Sequence, residues 1–146
     1  MKEIVNELTL RNETISTMES CTGGFIVNEI TNIKGASKVL KYSAITYSDD
    51  FKIKMGVSKE VIDKYSVYSV ECSIEMAKAI CRFSGSTYGI GVTGELNNYG
   101  TIYICIYNSL NNTKKTITLN ALENRVDSKK KICFIIEQIL KDFINN

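Results

Sequence analysis

The sequence predicts a single α/β domain in which a mixed β-sheet is packed between helices. Short β-branched runs alternate with amphipathic helical patterns along the first half of the chain, which is typical of α/β proteins. Adjacent extended runs follow later, and these indicate antiparallel strands in the same sheet. The length of 146 residues and the hydrophobic content of 44% suit one domain with a sizeable apolar core, so residues 1–146 are expected to form that domain.

The first half of the chain predicts helix, strand, helix and strand, in that order. A helix is expected over residues 1–12, and the β-branched run "TISTM" follows it as a strand. Apolar spacing predicts a second helix that begins at Thr22 and that Gly35 ends. The run "VLKYSAITY", residues 39–47, is the expected second strand.

The second half predicts two helices around a group of antiparallel strands. After a polar stretch with some helical character, Ser69 is the expected N-cap of an amphipathic helix that reaches Cys81. A last amphipathic helix is expected over residues 132–143. Three extended runs follow the helix that Ser69 begins. The first two flank the turn segment "GELNNYG" and predict a hairpin, and the third is expected to pair next to it as a further strand. These three runs are "TYGIGV", "TIYICIY" and "TKKTITL".

The residue types that are missing restrict the chemistry. The chain has no histidine, so a Ser-His-Asp group, a Cys-His group or a histidine metal ligand cannot be built from it. Any base must be lysine, tyrosine, a carboxylate or water. The five cysteines form no CxxC pair, so neither a zinc site nor a disulfide framework is indicated, and no metal or cofactor is expected. The four that follow Cys21 are expected to be small buried hydrophobic residues: Cys72, Cys81, Cys105 and Cys133.

Charge and hydropathy narrow the expected partners and location. A net charge of +2 is too small to indicate a polyanion partner, so nucleic acid is not expected. No segment approaches the roughly 18 apolar residues of a membrane span, and the first ten residues lack the apolar run of a signal peptide. A cytoplasmic location without a membrane partner is therefore predicted.

The segment "STMESCTGGF", residues 16–25, has two interpretations. Ser20 and Cys21 are expected in the turn beyond a strand's carboxyl end, where open α/β sheets place their ligands. Gly23 and Gly24 would let the backbone pass close to a ligand, and free N–H groups at a helix start favour an anion or an oxyanion. Alternatively, Ser20 caps the helix and the glycines allow tight packing. The local pattern alone favours this second interpretation.

The whole sequence resembles the CinA C-terminal domain family, over about residues 3–143. The resemblance rests on these segments, in order: "ESCTGG", "KGAS", "ITYSDDFKIKMGVS", "YSVYSVECSIEMA", "GVTG" and "YGTIYI". Family members with known chemistry are nicotinamide-nucleotide amidohydrolases, which act in pyridine nucleotide salvage, and the family is also named for competence and damage induction. Larger members carry a molybdopterin-binding-like domain ahead of this one, for which this chain is too short.

The resemblance implies a serine hydrolase that converts nicotinamide mononucleotide to nicotinate mononucleotide and ammonia. Ser20 is the implied nucleophile, Lys52 its base and Tyr47 the third member, which relays a proton or holds the other two in register. A lysine with the ordinary pKa of about 10.4 is protonated at neutral pH, so Lys52 must be desolvated or lie near positive charge. By pattern alone, Lys52 and Tyr47 would both be surface residues. Cys21 is a rival nucleophile, ranked behind Ser20.

The resemblance also implies a substrate pocket around the small-molecule nucleotide. Backbone N–H groups of the "CTGG" turn are expected to stabilise the oxyanion. Arg125 and Lys129 stand where the family often has arginines, and they are either phosphate ligands or solvated charges. The implied substrate-binding residues are Cys21, Thr22, Gly23, Gly24, Thr93, Gly94 and Arg125.

Two departures from the family leave other functions open. The segment "ELNNY", residues 95–99, replaces a longer loop rich in glycine and proline, so one wall of the pocket is expected to be open to solvent. Tyr42 and Ser43 replace two glycines and would narrow the pocket. The alternatives are a non-catalytic nucleotide-binding relative and an amidase for a smaller carboxamide. Family members commonly self-associate, so a homo-oligomer that uses the "TIYICIY" strand is a further expectation.

Overall fold

A computed structural model describes residues 1–145 as five strands, six α-helices and one short 3₁₀ helix. The helices are α1 (Lys2–Arg11), α2 (Phe25–Thr31), α3 (Asp49–Lys54), α4 (Lys59–Tyr65), α5 (Val70–Ser84) and α6 (Arg125–Asn145), with the 3₁₀ helix at Ala36–Lys38. The strands are β1 (Ile15–Glu19), β2 (Leu40–Ile45), β3 (Tyr88–Gly94), β4 (Thr101–Asn108) and β5 (Thr113–Asn120). The predicted α/β class is confirmed.

The five strands form one mixed sheet in the order β2-β1-β3-β4-β5. β1 runs parallel to both β2 and β3, and Glu19 at its end lies opposite Ile45 on one side and Val92 on the other. β3 and β4 are antiparallel, as are β4 and β5, so the predicted hairpin and its extension are confirmed. β4 lies inside the sheet, so its backbone does not offer the free edge that pairing with a second copy would need.

Helices cover both faces of the sheet. α1, α2 and α6 pack with the apolar side chains of β1, β3 and β4 in the larger core. α5 covers the other face, where Met18 and Ala44 of the sheet meet Met76 and Ile80 of the helix. This is the arrangement of a sheet between helices that the alternating pattern predicts.

Two glycines of β3 let α5 lie directly on the sheet. A Cβ atom at Gly89 would stand 2.1 Å from the carbonyl oxygen of Ala77, and one at Gly91 would stand 2.2 Å from that of Ser73. Any side chain at either position would overlap the helix backbone, so only glycine permits this approach. The close contact holds β3 and the carboxyl edge of the sheet firmly against α5.

The N-cap prediction for α5 is confirmed, but the bounds expected for α2 are wrong. The Ser69 hydroxyl accepts a hydrogen bond from the N–H of Cys72 at 3.1 Å. α2 begins at Phe25 after Gly24 (φ 95°) and ends at Thr31, whereas the expectation placed the start at Thr22 and the end at Gly35. Gly35 (φ 93°) instead precedes the 3₁₀ helix. The late start has a physical cause in the contacts of Glu19, which are described below.

All five cysteines are buried and free, as expected for the four after Cys21. Among residues 1–145, no helix combines the length and apolar character needed to cross a bilayer. Within the same range, the structure brings no three Cys, Asp or Glu side chains together as a set of metal ligands.

Candidate active site

The candidate site lies at the carboxyl ends of β1 and β3. From β1 the chain continues to β2 on one side of the sheet and then returns to β3 on the other, so the strand order reverses at β1. Open α/β sheets bind ligands in the crevice at such a switch point. Ser20 directly follows β1, and its N–H donates to the carbonyl oxygen of Val92 at 2.9 Å. Ser20 therefore stands in the expected turn.

Lys52 is buried against Ser20. Although α3 is mostly exposed, the Lys52 side chain is only 1% exposed, because the helix turns this one residue inward. Its Nζ atom lies 3.1 Å from Ser20 Oγ and donates to the carbonyl oxygen of Thr46 at 2.8 Å and, more weakly, to that of Tyr47 at 3.5 Å. The surface position that the local pattern favoured for this lysine is wrong.

Burial gives Lys52 the electrostatics of a potential base. Desolvation lowers the pKa of Lys52 from its ordinary value, and nearby Cys72, Asp49 and Cys21 oppose this only in part. A neutral lysine amine has two N–H donors and one lone pair. The carbonyl oxygens of Thr46 and Tyr47 match the two donors, and Ser20 Oγ stands where the lone pair can accept its proton.

Tyr47 lines the same pocket but does not bridge Ser20 and Lys52 with its hydroxyl. Its side chain is 64% exposed, and its backbone carbonyl is the group that faces Lys52 Nζ. The structure therefore brings all three implied catalytic residues to one pocket and joins two of them through their side chains. The hydroxyl of Tyr47 is left to contact a bound molecule or to relay a proton from solvent.

Cys21 is poorly suited to compete with Ser20. Burial raises the pKa of the Cys21 thiol to about 11, and the charge of Glu19 acts in the same direction. A thiol of this kind is protonated at neutral pH and is a weak nucleophile. Burial thus disfavours the thiolate of Cys21, whereas the Ser20 hydroxyl has an amine 3.1 Å away.

Glu19 is an element of the site that the sequence reasoning missed. Its carboxylate is fully buried and accepts hydrogen bonds from the N–H groups of Gly24, Ile26 and Val27 and from the Thr22 hydroxyl. These contacts hold the chain in a turn that delays the start of α2. A carboxylate that ends an otherwise buried strand was the signal, because a buried charge must find strong donors nearby.

The contacts of Glu19 correct two expectations about the turn. Ser20 does not cap α2, since the first amides of that helix are bonded to Glu19 instead. For the same reason, the amides of Gly24, Ile26 and Val27 are not free to bind an oxyanion. The N–H of Gly23 is also engaged, since it donates to the carbonyl oxygen of Ser20 at 3.0 Å. The amides of Cys21 and Thr22 are the remaining candidates in the "CTGG" turn, and of these two residues Cys21 lines the pocket.

The pocket around Ser20 and Lys52 is a cavity of about 150 Å³. Of the implied substrate-binding residues, Cys21, Gly94 and Arg125 line it, whereas Thr22 and Thr93 face elsewhere. The Thr93 hydroxyl donates to the carbonyl oxygen of Val67 at 2.8 Å and so holds the loop that precedes α5. The full lining is Ser20, Cys21, Tyr47, Asp49, Lys52, Val67, Tyr68, Gly94, Glu95, Leu96, Asn97 and Arg125.

Two further members of the "CTGG" turn, Gly23 and Gly24, lie behind the wall of the pocket. Gly23 (φ 61°) lies under α6, where an added Cβ would stand 3.6 Å from Lys129 Nζ. Gly24 (φ 95°) lies beside Ile45, which would approach an added Cβ to 3.0 Å. Both residues have positive φ angles, which glycine adopts without strain, so both serve the conformation of the turn.

The short loop after β3 contributes to the lining of the pocket through Glu95, Leu96 and Asn97. Leu96 is 2% exposed and packs into the larger core, which anchors the loop. The Asn97 side chain accepts a hydrogen bond from Arg125, and both residues line the pocket. This short loop thus supplies part of the pocket lining, and the burial of Leu96 holds it in place.

The two residues that replace family glycines do not narrow the pocket. The Tyr42 ring packs on that of Phe83, with 5.0 Å between the ring centroids. The Ser43 hydroxyl is hydrogen-bonded to that of Thr17 on the neighbouring strand. Both side chains are occupied along β2, away from the lining of the cavity.

The fold and the site together define an α/β domain that carries a buried serine–lysine pair at the switch point of its sheet. The CinA C-terminal domain family matches residues 1–142 of the sequence, and the chain belongs to that family. It is 34% identical to a CinA-like protein of Kosmotoga olearia over 135 residues, which cover 86% of this chain and 33% of the relative. It is 44% identical to a Clostridium botulinum (strain Langeland) protein named for competence-damage induction, over 68% of this chain and 25% of that protein. The chain thus spans a third or less of these relatives.

Solved structures share the fold along nearly the whole chain. The competence/damage inducible protein CihA from Agrobacterium tumefaciens superposes with a TM-score of 0.88 at 22% identity, over 99% of this chain and 92% of that one. A CinA superfamily protein from Klebsiella pneumoniae gives a TM-score of 0.91 at 18% identity, over 99% and 94% of the two chains. At these identities the likeness shows the fold.

Proposed function

We propose that the chain hydrolyses the carboxamide of nicotinamide mononucleotide to nicotinate mononucleotide and ammonia. The observation that carries the proposal is the buried Lys52 amine 3.1 Å from Ser20 Oγ, with the pKa of the lysine lowered by burial. A serine hydroxyl needs a positioned base to become a nucleophile, and this chain has no histidine to supply one. Membership of the CinA C-terminal domain family supports the choice of substrate.

The reaction proceeds through an acyl-enzyme. Ser20 Oγ attacks the carboxamide carbon while Lys52 accepts the hydroxyl proton, and a tetrahedral intermediate forms. Lys52 then gives that proton to the departing nitrogen, the C–N bond breaks and ammonia leaves. Water attacks the resulting ester as Lys52 accepts its proton, and the nicotinate product leaves as the proton returns to Ser20.

The negative charge that develops on the carboxamide oxygen needs donors in the pocket. The N–H of Cys21, the residue after the nucleophile, is the donor that we assign, since such a position serves as an oxyanion donor in other hydrolases with a strand-to-helix turn. Arg125 also lines the cavity, held by Asn97, where it can meet an anionic part of the substrate.

The size of the cavity favours a second candidate, an amidase for a smaller carboxamide. Pockets that enclose a whole drug-sized ligand measure roughly 300–1,000 Å³, whereas this one measures about 150 Å³. A cavity of this size can enclose the carboxamide end of a nucleotide while the rest of the nucleotide lies in solvent. Alternatively, it can enclose the whole of a smaller amide. Both candidates use the same serine and lysine.

The test is ammonia release from nicotinamide mononucleotide and from nicotinamide, each with purified wild type and three variants. Ser20→Ala and Lys52→Met should lose turnover by a factor on the order of 10³ or more, while Lys54→Met, which alters an exposed lysine of the same helix, should match the wild type. Ser20→Ala should also leave thermal stability nearly unchanged. Turnover that survives in Ser20→Ala and disappears in Cys21→Ala would identify the thiol as nucleophile. Saturable binding without turnover in the wild type would establish the non-catalytic alternative.

A further inference from the structure

We infer that Glu19 is the positioning residue of the site: its buried carboxylate shapes the turn that presents Ser20 to Lys52. The inference rests on the proposed role of Ser20 as nucleophile. Glu19 touches neither the cavity nor the reacting atoms, so it acts through the residues that it holds.

Both oxygens of the carboxylate accept hydrogen bonds from the residues that follow Ser20 in the turn and in the start of α2. Oε2 accepts from the Thr22 hydroxyl at 2.6 Å and from the N–H groups of Gly24 and Ile26 at 3.1 Å each. Oε1 accepts from the N–H of Val27 at 2.9 Å. These four donors lie three to eight residues along the chain, so the single side chain spans the whole turn.

The backbone of Glu19 is tied to the residues that hold Lys52. The Glu19 carbonyl oxygen accepts from the N–H of Thr46 at 2.9 Å, and the Thr46 carbonyl oxygen accepts from Lys52 Nζ at 2.8 Å. Nζ in turn contacts Ser20 Oγ at 3.1 Å. Because Ser20 is bonded to Glu19 along the chain, these contacts close a ring through the nucleophile and its base. A shift of the Glu19 backbone would therefore change the distance between them.

A carboxylate is required at this position because every partner is a donor. Glutamine offers one acceptor oxygen, and its NH₂ group would face N–H groups that it cannot satisfy. Glu19→Gln keeps the size of the side chain and removes this match. Whichever oxygen is replaced, at least one amide of α2 would then lose its acceptor, and the turn would relax away from the conformation that aims Ser20 at Lys52.

The experiment measures the reactivity of Ser20 in two independent ways. One is covalent labelling of Ser20 by a fluorophosphonate, followed by mass spectrometry of the modified peptide. The other is kcat and KM for ammonia release from nicotinamide mononucleotide. Glu19→Gln should slow labelling and lower kcat by a factor on the order of 10², because a displacement of about 1 Å has an effect of that size, while KM changes little.

Companion variants separate positioning from general stability. Thr22→Val removes one donor to Oε2 and should slow labelling in the same direction, while Thr22→Ser keeps the hydroxyl and should restore it. Ser16→Ala breaks the hydrogen bond to Ser84 elsewhere on β1 and should lower stability without slowing the labelling of Ser20. If Glu19→Gln does not fold, the two Thr22 variants decide the question.

The outcomes distinguish this inference from the proposed function. Labelling of Ser20 in Glu19→Gln or Thr22→Val at the wild-type rate would overturn the positioning role and leave the serine mechanism standing. A slow rate in Ser16→Ala equal to that in Thr22→Val would also overturn it, because the effect would then follow stability alone. A wild type in which Ser20 takes no label would contradict the proposed function, and the positioning role would fall with it.

Discussion

Substitution of Gly91 by alanine tests how closely the sheet is packed against α5. The new Cβ atom would stand 2.2 Å from the carbonyl oxygen of Ser73 and 2.7 Å from the N atom of Ala77. Ordinary contacts begin near 3.4 Å, so the overlap exceeds about 1 Å and falls on helix backbone that cannot rotate away. Overpacking costs typically about 1–3 kcal/mol and sometimes more. Alanine also lowers the conformational entropy of the unfolded chain, which offsets about 0.4–1 kcal/mol of the overpacking cost.

An overlap of this size with helix backbone belongs at the upper end of that range, about 3 kcal/mol, so the expected net loss for Gly91→Ala after the offset is about 2–2.6 kcal/mol of unfolding free energy. Urea unfolding followed by circular dichroism measures it directly, from the midpoint and the slope. Gly35→Ala is the control: its Cβ would meet nothing within 4 Å, so only the strain of its positive φ remains, which costs about 1–2 kcal/mol before the same offset of about 0.4–1 kcal/mol. A Gly91→Ala protein as stable as the wild type would refute the packing argument.

Three further outcomes follow from the site and its helices. The lowered pKa of Lys52 means that the unfolded chain binds more protons than the folded one between the folded-state pKa of Lys52 and 10.5. The stability of the wild type relative to Lys52→Met should therefore rise with pH through that window, by about 1.4 kcal/mol for each unit by which the pKa is lowered. Urea unfolding at a series of pH values measures both stabilities. A difference between the two proteins that does not change with pH would contradict the lowered pKa. Ser69→Ala should cost about 1 kcal/mol through loss of the α5 N-cap, which urea unfolding would show against a Ser69→Thr control that keeps the hydroxyl. Iodoacetamide should alkylate Cys21 far more slowly at pH 8 than a free thiol of ordinary pKa, since burial raises the pKa of Cys21 to about 11; rapid modification, found by peptide mapping, would restore the thiol as a rival nucleophile.

Local chemistry explains why most elements could be predicted. The hairpin of β3 and β4 needs only alternating apolar residues and a turn, and the start of α5 needs only a serine before an amphipathic pattern. α2 was misplaced because its amides bond to Glu19 across the turn, which spacing rules for apolar residues do not register. The place of Leu96 in the pocket lining was missed because the length of a loop does not say which of its residues is buried.

By itself, the sequence determined the class of fold, the lack of any histidine from which this chain could build a catalytic base and, through its motifs, the membership of the CinA C-terminal domain family. The pairing of Ser20 with Lys52 was implied by resemblance and not by any local pattern, since 32 residues separate them. Only the tertiary structure showed that α3 buries its one inward lysine against the end of β1. Burial is what lowers the pKa of that amine, and burial is a property of the packed sheet and helices together, so no single segment could reveal it.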